Sequence, residues 1–289
     1  MLRLVGRSGS IPAVPVEFDP GYVHEPFRTL VEQHPGREVY PPGEFRVEWG
    51  PIFHRGRLDG SARVLVIGPD PGEPETVVRR ILVGEAGQGV QGFLARLGIE
   101  RSYVMVNAFL YAATGRAGGE RHRDDPAIAA HRNRWLDALL VGSRIEAVVA
   151  FGRLADAAFR LWKATPAGRT VQVPYVRVTH PAEPESSAPH DPVRRAQAIR
   201  TMLSGWNQAL RTLRPLLPHP DVDRPLVLYG DGWAPGDRTP IPARDLPAGV
   251  PSWMGQLGGR WAARRAIGAV PKRATLVITV PRAAREWSN

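Results

Sequence analysis

The sequence predicts an α/β protein: a three-layer α/β/α sandwich around a central, mostly parallel four-stranded sheet, with an N-terminal arm and a C-terminal extension. Three observations predict it. Residues 61–215 alternate short apolar runs with helical patterns, the signature of βαβ units. The runs are of the kind that lie in a sheet covered on both faces. The longest helical pattern keeps Ile199, Met202, Leu203, Trp206, Leu210 and Leu213 at spacings of three and four, one face of a helix.

Residues 1–60 are rich in Pro and Gly and weakly periodic, and read as an irregular arm with one helix near 24–34. Within residues 61–215, strands are expected at Arg63–Ile67, Tyr103–Val106, Ala147–Phe151 and Tyr175–Thr179. Helices are expected at Gly89–Leu97, Pro126–Leu140, Arg153–Trp162 and Pro192–Leu213, with "HRDDP" at 122–126 supplying an aspartate cap. A Pro-rich linker then opens residues 216–289. Two short strands, Leu226–Tyr229 and Thr275–Val280, and a basic helix near 253–267 are expected there. Trp162, Trp206 and Phe159 are expected in the core. Trp233, Trp253 and Trp261 are expected to anchor the extension, and His131 and His190 to face solvent.

The 289 residues allow a sizeable core. No window approaches the roughly 20 apolar residues of a membrane span, and the N-terminus lacks the continuous apolar core of a signal peptide. The expected location is therefore the cytoplasm, with no membrane partner. There is no cysteine, which excludes disulfides, thiolate metal sites and cysteine nucleophiles. The histidines form no metal-binding pattern, so neither a metal nor another cofactor is expected. The net charge is +10, and all but two of the 38 basic residues are arginine. Arg260, Arg264, Arg265, Lys272, Arg273, Arg282 and Arg285 cluster at the end against Glu286 alone. Such a patch suits a polyanion; codon bias is the alternative.

In open parallel sheets, ligands bind beyond the carboxyl ends of the strands. The first strand runs into "GPDPG", Gly68–Gly72, placing Asp70 in a loop stiffened by Pro69, Pro71 and Pro74. The second ends at Asn107, and the fourth at Thr179-His180-Pro181. Each residue alone has an ordinary reading: a turn carboxylate, a capping amide, a packed histidine. Together they place three polar side chains on one edge. His54-Arg55, just before the first strand, is close enough to line the same cleft. No dinucleotide fingerprint and no phosphate loop occurs.

Four stretches, "VIGPDPGEPE", "VMVNAFLY", "VVAFGRLA" and "VTHPAEP", in that order and spacing, resemble the uracil-DNA glycosylase superfamily over about Arg63 to Leu213. "RRILVGEAGQGVQGFLARLGI" resembles its iron–sulfur bacterial branch, although a chain without cysteine has no thiolates to hold a cluster. The resemblance implies a water-activating loop at Gly68-Pro69-Asp70-Pro71, a uracil-reading amide at Asn107, and a catalytic His180-Pro181. Asp70 would orient water and stabilise the sugar cation. His180 would stabilise the uracil anion. Asn107 would accept from uracil N3–H and donate to O4, a pattern cytosine inverts. Gly68 and Pro69 would border the base.

Two departures from the family matter. Leu82 stands where the bacterial branch stacks an aromatic ring on the base, making Phe109 and Phe53 the substitute candidates. Gly72 lacks the tyrosine that screens out the thymine methyl. Arg55, Arg194, Arg195, Arg264, Arg265 and Pro181 are the candidates for DNA contact. The loop "AEPESSAPHDP" offers no apolar wedge, so single strands are expected to be favoured. "VVRRILVG" has no histidine for covalent trapping.

The expected function is a monofunctional, monomeric uracil-DNA glycosylase of base excision repair. It would bind single- and double-stranded uracil DNA and its abasic product, and associate with the nucleoid during repair. The alternatives are a glycosylase for hypoxanthine or xanthine, a non-turnover binder of uracil or abasic DNA, or an RNA- or nucleotide-binding protein.

Overall fold

A computed structural model describes residues 17–257, 260–265, 267 and 275–285. In chain order the elements are α1 Phe27–Glu32, β1 His54–Gly56, β2 Val64–Gly68, α2 Glu73–Val78, α3 Glu85–Arg96 and β3 Tyr103–Asn107. Then follow α4 Gly115–Arg121, α5 Pro126–Leu140, β4 Ala147–Phe151, α6 Arg153–Lys163 and α7 Pro166–Thr170. The chain continues with β5 Tyr175–Val178, α8 Glu183–Ser187, α9 Pro192–Leu213 and the two-residue strands β6 Ala262–Ala263 and β7 Val277–Ile278.

The sheet has five strands in the order β1-β3-β2-β4-β5. The four anticipated strands are parallel. The fifth, β1, pairs antiparallel with β3 and belongs to the segment read from sequence as an irregular arm. Alternation along the strands divides the core into two layers. Val64, Val66, Met105, Val149 and Phe151 meet Phe93 of α3 and Trp206 of α9. Leu65, Ile67, Val104, Val148 and Ala150 meet Trp135 of α5 and Phe159 and Trp162 of α6. Asp125 caps α5, accepting from the amides of Ala127 and Ile128.

The extension departs most from expectation. Leu226–Tyr229 is not a strand. Asn207 brackets Tyr229 instead, donating to its carbonyl at 2.9 Å and accepting from its amide at 2.8 Å. The basic helix near 253–267 is absent among the described residues. A single 3₁₀ turn, Ser252–Gly255, follows Pro251, and β6 pairs with β7. Residues 258, 259 and 266 of that span lie outside the described residues. Of Thr275–Val280, only Val277–Ile278 forms strand. Trp233 packs edge-on against Trp206, and Trp253 against Trp261. A third apolar cluster joins Trp261, Met254, Leu246 and Ile241 to Val78 and Val83. His131 is buried rather than solvent-facing, its Nε2 accepting from Trp135 Nε1–H at 3.1 Å; His190 is exposed.

Candidate active site

A cleft of about 760 Å³ opens beyond the carboxyl ends of the parallel strands. Pairing of Gly68 with Asn107, and of Phe151 with Val178, brings the strand ends level. Of the residues expected there, Pro69, Asp70, Leu82, His180, Pro181 and Arg264 line the cleft.

The Asp70 loop is tied down from two sides. The amides of Ala108 and Phe109 donate to the carbonyls of Gly68 and Pro69 at 2.8 and 3.0 Å, and the amide of Ala113 donates to Asp70 Oδ2 at 2.9 Å. From the other side, buried Glu75 accepts from the amides of Gly72, Val83 and Gly84 at 3.0, 2.9 and 3.1 Å. That carboxylate joins the Asp70 loop to the turn carrying Leu82. It also gives a physical reason for Gly72, because a Cβ there would lie 2.8 Å from Glu75 Oε2. Sequence reasoning missed Glu75; its only signal was a capping-box glutamate three residues after Gly72.

Burial pushes the Asp70 carboxyl up to about 6; the Ala113 amide opposes the rise, while Glu75 and Glu73 add to it and Arg264 subtracts. Burial pushes His180 down to about 4, so its ring is neutral at pH 7. Its Nδ1 accepts from the Ala182 amide at 3.3 Å, which leaves the ring proton on Nε2. One cleft thus holds a carboxylate poised to act as base and a neutral imidazole able to donate.

Asn107 does not line this cleft. It is 7% exposed and borders a small neighbouring cavity with Phe53. Its Oδ1 is buried without a hydrogen-bond partner. It packs against Gly68, where a Cβ would meet it at 2.4 Å and Leu82 Cδ1 at 3.7 Å. Gly68 therefore lets the amide and Leu82 approach each other.

Several expected contacts are corrected. Phe53 stacks on Trp135, and Phe109 lies edge-on to Phe45, both in the core layer away from the cleft. The aromatic residues on the cleft are instead Trp49, Phe151 and Trp261. Arg55 is fully buried and cannot touch DNA: it donates to Asp245 Oδ2 at 2.9 Å, Gln91 Oε1 at 3.0 Å and the Ile81 carbonyl at 3.1 Å. Arg194 and Arg195 lie outside the cleft lining. Arg194 is exposed and paired with Asp191, and Arg195 donates to the carbonyls of Ala188 and Pro189. Arg265 is exposed, beside rather than on the lining.

The family model of the uracil DNA glycosylase superfamily matches residues 55–194. Residues 55–194 form a domain of that superfamily. A domain of this kind supports a DNA glycosylase in general, a hydrolase acting on uracil or another damaged base in DNA. No curated protein matches the chain. The matched segment holds Asp70, Leu82, Asn107 and His180, while Arg195, Arg264 and Arg265 fall beyond it. The cluster of the iron–sulfur branch does not fit this chain, which has no cysteine. Among the described residues no group of His, Asp and Glu could hold a metal, and no helix is long and apolar enough to cross a membrane.

Proposed function

We propose that the protein hydrolyses the N-glycosidic bond of deoxyuridine in DNA, releasing uracil and leaving an abasic site. The observation that carries this is the pairing, in one cleft, of Asp70 raised to about 6 with neutral His180. Ionised Asp70 orients water toward C1′ and stabilises the positive charge that builds on the sugar. His180 donates from Nε2 to the uracil oxygen as the bond breaks. The flipped base enters beside Leu82, and a side-chain shift on binding brings Asn107 Oδ1, buried just outside the cleft lining, to its N3–H. An unpaired buried acceptor costs about 1–3 kcal/mol, so filling it favours a base with a donor at N3.

The test uses a 5′-labelled single strand with one uracil, heated in alkali after incubation, beside strands carrying hypoxanthine or xanthine. Cleavage at uracil, greatly reduced by Asn107→Ala, is the expected result. Cleavage only at a purine would transfer the reading to a deaminated-purine glycosylase. Cleavage stopping at one equivalent would indicate trapping of the product.

The segment after His180-Pro181 bears Ala182, Glu183, Glu185 and Ser186 on the cleft, with no large apolar side chain. Nothing there can replace a base withdrawn from a stack, at a cost of a few kcal/mol. Single-stranded uracil DNA is therefore cleaved faster than duplex under single-turnover conditions. A higher duplex rate would refute this.

A further inference from the structure

Arginines of the C-terminal extension reach the cleft from beyond the matched family segment. Arg238, Arg260 and Arg264 all line it. Each is held by a carboxylate of the cleft itself. Arg264 pairs with Glu73, beside the Asp70 loop. Arg238 pairs with Glu85 at 2.5 Å, at the start of α3. Arg260 lies 3.6 Å from Glu85 and also pairs with Glu185 of α8. Arg260 thereby links the extension to the segment that follows His180, across the mouth of the cleft.

The arrangement is general around the cleft: its other two arginines, Arg46 and Arg153, face Glu48 and Glu120 at 3.5 and 2.9 Å. A protein of net charge +10 thus presents a cleft whose cations are already neutralised. The Arg260–Glu185 pair is open to solvent, and the Arg238–Glu85 and Arg264–Glu73 pairs are partly so. Arg260 is 66% exposed and Glu185 40%. Exposed pairs of this kind contribute only about 0–1 kcal/mol, whereas a phosphate accepts from guanidinium in a strong charge-assisted geometry. These pairs are weak enough to be exchanged and close enough to hold the side chains in place until a phosphate arrives.

We propose that the C-terminal extension supplies the phosphate-binding rim of the cleft. On binding, Arg238, Arg260 and Arg264 exchange Glu73, Glu85 and Glu185 for the phosphates of a DNA strand. The inference rests on the glycosylase reading for the identity of the polyanion. Opening the Arg260–Glu185 link frees the mouth of the cleft beside His180, so backbone binding and base entry are coupled.

The test measures affinity for a fluorescent single-stranded oligonucleotide lacking uracil, across a salt series. Arg260→Ala/Arg264→Ala is expected to weaken binding and to flatten the log K against log salt slope by roughly 1.4, about 0.7 per phosphate contact on single strands. Glu185→Gln, which removes the nearer of Arg260's two carboxylates and leaves Glu85 at 3.6 Å, is expected to bind more tightly than wild type at low salt, a gain that misfolding cannot produce. Arg211→Ala, on an exposed position of α9, controls for lost net charge and keeps the slope. An unchanged slope in the double variant, or no gain in Glu185→Gln, overturns the proposal. Base release is assayed in parallel. Absence of release from every uracil strand would sink the glycosylase reading, while the salt slopes would still decide the rim.

Discussion

Asp70→Asn lowers the single-turnover rate of base release by about 10²–10⁴-fold, the usual contribution of a positioned acid or base, with DNA affinity nearly unchanged. The wild-type rate carries the signature of the same carboxyl. Asp70 must be ionised to act, and burial lifts its pKa to about 6. The rate therefore falls about tenfold per pH unit below that value and is flat above it. His180 titrates near 4 and is neutral throughout the working range, so it adds no falling limb at neutral pH. Stability should move the opposite way. The folded-state pKa of Asp70 is raised, so its contribution is fully present below the ordinary value of 3.8 and is lost as pH rises through about 6. At pH 7.5 ionised Asp70 is a burden on the fold, at most about 3 kcal/mol at 1.36 kcal/mol per unit, and less because solvent reaches this half-buried group. Asp70→Asn keeps the acceptor for the Ala113 amide and loses the charge. It should melt above wild type at pH 7.5, with the gap closing toward pH 4. A variant both inactive and less stable at pH 7.5 would mean that Asp70 serves the loop and not the reaction.

Much of this site was legible because its signals are local. Strands β2 to β5 and helices α5, α6 and α9 follow from apolar spacing within each segment, and Asp70 and His180 follow because each sits just past a strand. What was not legible depends on distant partners. Strand β1 is only His54-Arg55-Gly56, and its polar side chains can be buried because Asp19, Tyr22 and Asp245 meet them. No local pattern reports that compensation, and the sequence alone therefore presents Arg55 as a candidate DNA contact. Phe53 and Phe109 are candidates for base stacking by residue type and proximity in sequence alone. Both lie just outside the strands, Phe53 before β1 and Phe109 after β3, and both rings pack into the layer of Trp135 and Phe45. Trp261, Arg238 and Arg260 reach the cleft from far along the chain, and only the folded extension shows it.

The extension also decides whether the domain stands. Asp245 is fully buried in a 3₁₀ turn and accepts from Arg55 Nη1 at 2.9 Å and from Tyr103 Oη at 2.5 Å; Arg57 pairs with its other oxygen. Arg55 lies 190 positions earlier, on the edge strand of the sheet. Removing one partner of such a pair strands a buried charge and costs about 3–5 kcal/mol, a large share of the roughly 5–15 kcal/mol that holds a domain together. Asp245→Ala should accordingly lower the midpoint by roughly 6–20 °C, at about 2–4 °C per kcal/mol. Removing residues 216–289, Asp245 included, should prevent folding. The loss should reach the cleft too, because Arg55 Nε also holds the Ile81 carbonyl, next to Leu82. Arg55→Met/Asp245→Leu separates charge from shape: a buried pair replaced by apolar groups of similar volume is often neutral, so the double variant should recover most of the stability lost in Asp245→Ala. Urea unfolding of the three proteins checks this. A loss below about 1 kcal/mol in Asp245→Ala, the scale of an exposed pair, would mean that water reaches Asp245 and that the extension is a removable cover.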